Sequence, residues 1–339
     1  MPSNNRIFYA TQLVLLNPCD TTGENPKGGT GSETFYTPRG VQTLGITTNF
    51  NLTEVFSIGQ LEVYDQPEDL PDVEVTMTKI FDGTPPLYFL VMDGNNGAGA
   101  TNFNGVNGSG LTAVGNNRVN VHVGLYQDTS DEATGIPQNF ISMSGMYLSS
   151  FTYTLGVDDN FSEDITLVGN HKTWNSVGSN FGSADSRNVF GTGSTGEYRS
   201  SVFTARRMNI ETGTSVFPTG AGGINAPTGG GGDPELPYFQ NITISSDLGR
   251  EEIRQLGRFD PYYRYITFPT EVTSEFEVVA SEGDFLDADD FKGADPCASD
   301  FTQLTDKEIQ IKVCTQDGSL TFDLGSKNKI TSVNYGGGD

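Results

Sequence analysis

Residues 42–76 read QTLGITTNFNLTEVFSIGQLEVYDQPEDLPDVEVT, and residues 240–273 read QNITISSDLGREEIRQLGRFDPYYRYITFPTEVT. The second stretch repeats the first. Gln42/Gln240, Glu54/Glu252, Gly59/Gly257, Tyr64/Tyr262 and Pro71/Pro269 each stand 198 positions apart. Leu44/Ile242, Ile46/Ile244, Val55/Ile253, Ile58/Leu256 and Leu61/Phe259 keep apolar character at that offset. Dropping one residue then brings Glu74-Val75-Thr76 onto Glu271-Val272-Thr273. Strand alternation alone accounts for the apolar matches, but not for Gly59/Gly257 together with Pro71/Pro269. A repeat of this length marks one supersecondary unit used twice.

Each copy has the same grammar. An alternating stretch ending in Ile46 or Ile244 predicts a strand. After a polar turn, Leu52–Ile58 and Arg250–Leu256 each place two apolar residues three apart, which predicts a short amphipathic helix. Gly59 and Gly257 stand where a helix C-cap glycine belongs. Leu70-Pro71 or Phe268-Pro269 then opens another alternating run.

Working outward, Ile7–Leu16 reads as a first strand and Asn17–Pro38 as a long loop. Glu74–Phe81 and Val119–Val123 alternate as strands do, as does Leu148–Leu155, whereas Pro86–Met92 is apolar enough for a buried strand. Asp93–Asn117 is rich in Gly and Asn and reads as a loop or insertion without a core. The second half echoes the first again. Ile309–Val313 resembles Val119–Val123, and Ile330–Tyr335 resembles Leu148–Tyr153 at an offset of 182. The expected fold is therefore mainly β. It comprises two tandem, similar β-sandwich or barrel-like domains, each with one short flanking helix, joined by long Gly/Asn-rich loops. The division expected is 1–175 for the first domain, 176–198 for a connector and 199–339 for the second, whose Thr219–Pro234 is a flexible loop.

The chain has 339 residues and a net charge of −24. Acidity is spread over both halves, with 19 Asp+Glu against 6 Lys+Arg in the first 175 residues and 24 against 13 in the rest. Such a surface repels nucleic acid, whose backbone is held by basic contacts. No apolar run reaches the roughly 18 residues of a membrane span. The start, MPSNNRIFYATQLVLLNP, lacks the basic region and small-residue cleavage site of an export signal. Three cysteines, Cys19, Cys297 and Cys314, do not make a disulfide framework, and the odd count favours a reducing compartment. Cys297 and Cys314 could still pair across a hairpin.

Catalytic signatures are missing. His122 and His171 are the only histidines and sit in no motif; His122 alternates with Val121 and Val123 and is expected to face solvent. HExxH, GxSxG, GxxxxGK and CxxC do not occur, so no enzyme and no cofactor is expected. Asp284–Asp295 carries five aspartates, a density calcium favours, but no Glu stands at the twelfth position of an EF-hand loop; no metal is assigned.

The repeated unit, with Gly59-x-x-x-x-Tyr64…Leu70-Pro71 and Gly257…Phe268-Pro269-Thr270-Glu271-Val272-Thr273, resembles the tail tube proteins of tailed bacteriophages. Leu248–Gly257, the strand and loop around Phe161–Gly169, and the closing Asp323–Ile330 carry the same likeness, which covers about half the chain. The resemblance implies β-sandwich domains that join edge to edge into rings, rings that stack through long loops or hairpins, and a continuous β-barrel lumen through which DNA passes without tight binding. A ring of that family usually holds six single-domain subunits, so a duplicated unit implies three chains per ring, with six as the alternative. Tail sheath, tail terminator and baseplate proteins are the implied partners, and the implied location is the virion tail, assembled in the host cytoplasm. Glu62, Asp65, Glu74, Asp260 and Glu271 are the acidic residues expected to face the lumen. Two other classes stay open: another virion component, such as a capsid decoration or sheath-like subunit, and a secreted adhesin or carbohydrate-binding module.

Overall fold

A computed structural model describes residues 12–19, 35–82, 85–92, 102–107, 111, 115–126, 137–176, 187–188, 209–212, 238–257, 261, 263–279, 309–314, 319–325 and 327–336. The first half gives β1 (Gln12–Pro18), β2 (Phe35–Tyr36), β3 (Val41–Asn49), β4 (Val55–Phe56), β5 (Val63–Asp65), β6 (Asp72–Ile80), the helix α1 (Leu87–Met92), β7 (Asn102–Asn107), β8 (Val119–Leu125), β9 (Asn139–Gly156), β10 (Ser162–Gly169) and β11 (Thr173–Ser176). The second gives β12 (Arg187–Asn188), β13 (Asn209–Thr212), β14 (Tyr238–Asp247), β15 (Arg250–Ile253), β16 (Tyr263–Ile266), β17 (Thr273–Val279), β18 (Gln310–Cys314) and β19 (Ser319–Asp323). The protein is mainly β, built on a curled antiparallel sheet.

The long strand β9 makes the curl. Its first part pairs with β8 and β11, and its second part with β10 on one side and β14 on the other. Gly145, at φ 66°, and a register shift against β8 lie between the two parts, and a second shift, against β10, falls at the start of the second part. Bulges of this kind bend a strand and raise its twist. One layer is thus six-stranded and antiparallel throughout, in the order β3-β6-β10-β9-β14-β17. The other part of the curl carries β1, β2, β8 and β12. A separate sheet, β13-β18-β19-β7, packs its Phe322 against Tyr153 of β9 with ring centroids 4.8 Å apart.

Both copies of the repeat fold as the same series of elements. A long strand (β3, β14) leads into a two-stranded arm (β4–β5, β15–β16), and a returning strand (β6, β17) pairs with the first. The two copies flank β10 and β9 in one layer, and one core cluster draws on both halves, from Val14 to Leu324. The register is not identical: Ile46 faces Val75, whereas its counterpart Ile244 faces Ser274.

Five expectations need correction. First, Leu52–Ile58 and Arg250–Leu256 are not helices. Seven residues nucleate a helix poorly without a partner, and Val55-Phe56 instead find Val63–Asp65 across a turn, as Arg250–Ile253 find Tyr263–Ile266. Gly59 and Gly257 do adopt left-handed φ, 95° and 86°, but at the arm tips rather than at helix ends. Second, Pro86–Met92 is buried but helical. A continuous apolar run of this length carries no period that separates the two states. The helix is decided by the prolines at its entry and by Glu163, whose carboxylate accepts the Leu87 and Tyr88 N–H groups at 2.6 and 2.7 Å. Third, the Gly/Asn-rich segment is not coreless, because Asn102–Asn107 forms β7 and Leu111 is buried in the core. Fourth, Ile330–Tyr335 forms no strand; Val333 and Tyr335 are exposed. Fifth, His122 does point away from Val121 and Val123, yet it is half-buried, with Nδ1 2.9 Å from Ser142 Oγ. The Asp284–Asp295 cluster, Cys297 and Thr219–Pro234 lie outside the described residues.

Burial holds the His122 imidazole down to about 4. The unfolded chain restores a value of about 6.5. Between these values the unfolded state binds a proton that the folded state refuses, so this group's contribution to stability is complete above pH about 6.5 and is lost as pH falls toward 4. Its slope is limited to about 1.4 kcal/mol per pH unit. Chemical denaturation at pH 7.5 and 5 should therefore show a smaller acid-induced loss in His122→Gln than in the wild type.

Candidate functional site

The six-stranded layer presents two unlike faces. One faces the core, through Val73, Val75, Met77, Ile165, Leu167, Phe151, Tyr153, Ile242 and Ile244. The other is set by the same registers and points outward. One row across all six strands reads Thr43, Thr78, Asp164, Thr152, Ser245, Thr273. Asp164 accepts a hydrogen bond from Thr78 Oγ1 at 2.5 Å within that row. Neighbouring outward positions add Asp72, Glu74, Asp247, Glu275 and Glu277, all exposed. None of the outward positions in these six strands is Lys, Arg or His. The face is a hydroxyl surface with carboxylates and no cation in its strands, so phosphate finds repulsion and few places to be held.

The outer strands β3 and β17 each have one hydrogen-bonding edge without a partner strand among the described residues. Alternation across six antiparallel strands makes β3 and β17 run in opposite directions. A second copy can thus set its β3 beside the first copy's β17 in antiparallel pairing and extend the sheet without a break in its pattern. Unpaired edges of this kind are templates for another chain.

Alternation also makes β3 and β14 run the same way, so both arms leave the layer at one end. The first arm is exposed along β4–β5, whereas the second packs its base on the body through the buried Ile266 and through Arg250, which donates to the Leu148 and Gly115 carbonyls. Leu52 bridges Glu68, and Asp69 N donates to Asn51 O at 2.7 Å, extending the first arm below β4–β5. Along it Phe50, Leu52, Phe56, Leu61 and Tyr64 are exposed, and Ile58 is fully so at 107%. Ile253 and Leu256, at positions equivalent to Val55 and Ile58, are exposed on the second arm, Leu256 at 102%. Apolar side chains concentrated on a projecting element mark an interaction surface. No protein-family model matches this chain, and no curated protein matches it either.

The acidic residues singled out in the sequence separate in space. Glu74 lies on the hydroxyl and carboxylate face, opposite Thr47. Glu271 is exposed just ahead of β17, where its carbonyl accepts the Ser246 hydroxyl at 2.7 Å. Glu62 and Asp65 stand on the first arm, away from that face. Asp260 lies outside the described residues. Sequence reading missed Asp164, Asp247, Glu275 and Glu277. Strand period was the available signal, because each alternates with a core residue, but the bulges that set their rows leave no trace in composition. Among the described residues there is no group of three or more potential metal ligands, and no helix is long and apolar enough to cross a membrane.

Proposed function

We propose that this chain is the structural subunit of a phage tail tube. Copies join edge to edge through β17 and β3 into rings, and rings stack through the arms into a hollow tube. The observation that carries this reading is the six-stranded layer, with two margins of opposite direction that have no partner strand among the described residues and one outward face whose strands carry no cation. Because the other face carries the core and the second layer, the hydroxyl and carboxylate face is the one available to line a bore. DNA passing such a wall is kept mobile by repulsion and is not bound.

Three chains would place eighteen strands around the axis, a number at which barrels leave an aqueous channel. Three chains would carry a formal charge of 3 × −24 = −72 per ring. On this reading the chain is two copies of one tube-building unit divided near residue 176, with no catalytic role. Its partners are further copies of itself and the sheath, terminator and baseplate proteins at the ends and outside of the tube, and its place is the virion tail.

Sedimentation of the purified chain over a wide concentration range tests the ring. Closed rings predict a discrete species of three or six chains that grows into larger stacks. A single-chain species at every concentration, even with tail tubes added as seeds, contradicts it.

A further inference from the structure

A chain of alternating charges joins the outer part of the second arm to the root of the first. Arg254 of the second arm reaches Asp69 of the first at 3.1 Å and Glu252 on its own strand at 3.1 Å. Glu252 in turn holds Arg264, which also lies 3.5 Å from Asp72 and 2.9 Å from Asn170 Oδ1 at the end of β10. Asp69 and Asp72 bracket Leu70-Pro71, where the first arm rejoins the layer, and Asn51 on the opposite side of that arm donates to both the Leu70 carbonyl and Asp72, each at 3.0 Å. Arg264 is nine-tenths buried while the Arg254–Asp69 link is half-exposed. The network thus has a fixed root and a solvent-facing tie. It joins residues about 185 positions apart, one from each copy of the repeat.

The tie sets geometry rather than monomer stability. A half-exposed pair changes an equilibrium by only about two- to five-fold. Both arms leave the same end of the layer, however, and both carry exposed apolar tips at duplicated positions. Two tips that reach one partner together gain from effective concentration only when their spacing is held. We propose that the two arms form a single docking element for a second copy of this chain, and that Arg254, anchored through Glu252 and Arg264, is the positioning residue that couples them. The inference rests on the assembly reading above and adds to it the device that makes two arms act as one. The partner is another copy because the same chain offers both the paired tips and the open sheet margins that would set several such pairs around one rim.

Two readouts separate coupling from assembly. Amide hydrogen exchange of the wild type, Arg254→Ala, Asp69→Ala and Arg254→Lys reads residues 51–68 and 250–266 in the isolated subunit. Fractions of stacked rings are counted by electron microscopy for the same proteins. Arg254→Ala and Asp69→Ala are expected to speed exchange in both arms by about two- to five-fold. Each should lower stacking by more than that factor, because several ties act per ring. The double variant should be no worse than either single one, and Arg254→Lys should recover most of the loss. Faster exchange with undiminished stacking, or exchange changes confined to one arm, overturns the coupling while leaving the tube reading in place. A wild type whose arms protect each other but which never self-associates overturns both.

Discussion

Lys79→Met is expected to destabilise the protein by about 3–5 kcal/mol, the cost of stripping a buried charge of its partner. Lys79, Glu163 and Tyr153 are direct cross-strand neighbours on β6, β10 and β9, all facing the core and all fully buried. Burial pushes the lysine down and the glutamate up, and the charge of each restrains the other's shift. Asp82 adds a second carboxylate 3.5 Å from Lys79 Nζ, and burial raises Tyr153 well above its ordinary range beside Glu163. The glutamate also caps α1 through two backbone N–H groups. With methionine at 79, Glu163 keeps its helix contacts but loses its cation. Lys79→Met/Glu163→Gln should recover part of the loss, because the uncompensated charge goes with the second change. Denaturant unfolding of the two singles and the double gives the coupling, expected at about 0.5–3 kcal/mol. Strict additivity would mean that lysine and glutamate do not interact.

The second large effect is on assembly rather than on folding. Ile58→Asp with Leu256→Asp should abolish ring stacking while leaving the subunit's unfolding midpoint nearly unchanged. Both side chains are fully exposed in the single chain, so their loss removes no core contact, and surface changes of this kind usually stay within about 0.5 kcal/mol. In a stacked tube each tip would be taken out of water, where an aliphatic side chain gains about 1.5–3 kcal/mol and an unpaired carboxylate is penalised. Electron micrographs of the variant should show rings without tubes. Tubes of normal length would place the stacking contact elsewhere on the chain.

Much of this architecture could be read from the residues because it depends on local period. The alternation around Ile46, Val75, Val121, Ile244 and Ile311 marks strands that the fold contains, whereas Gly59 and Gly257, expected as helix C-caps, turn the chain at the arm tips. What failed depended on contacts distant in sequence. The arms read as helices in sequence because Val55 and Ile58 are three apart in either state, and only the partner strand across the turn distinguishes them. Helix α1 reads as a strand in sequence because its cap, Glu163, lies 75 residues beyond Tyr88. The outward face was half-read for the same reason. Glu74 belongs to it, but Asp164 and Glu275 join it only through registers with β9 and β14. The tie between Arg254 and Asp69 has no sequence signature at all, since it exists only where the two arms meet.

The most direct test is electron cryomicroscopy of the concentrated protein. The account predicts hollow tubes built from stacked rings, with β17 of each copy paired antiparallel to β3 of the next and with the row from Thr43 to Thr273 lining the bore. Tubes in which that row faces outward, or particles in which β3 and β17 meet no neighbouring copy, would contradict it.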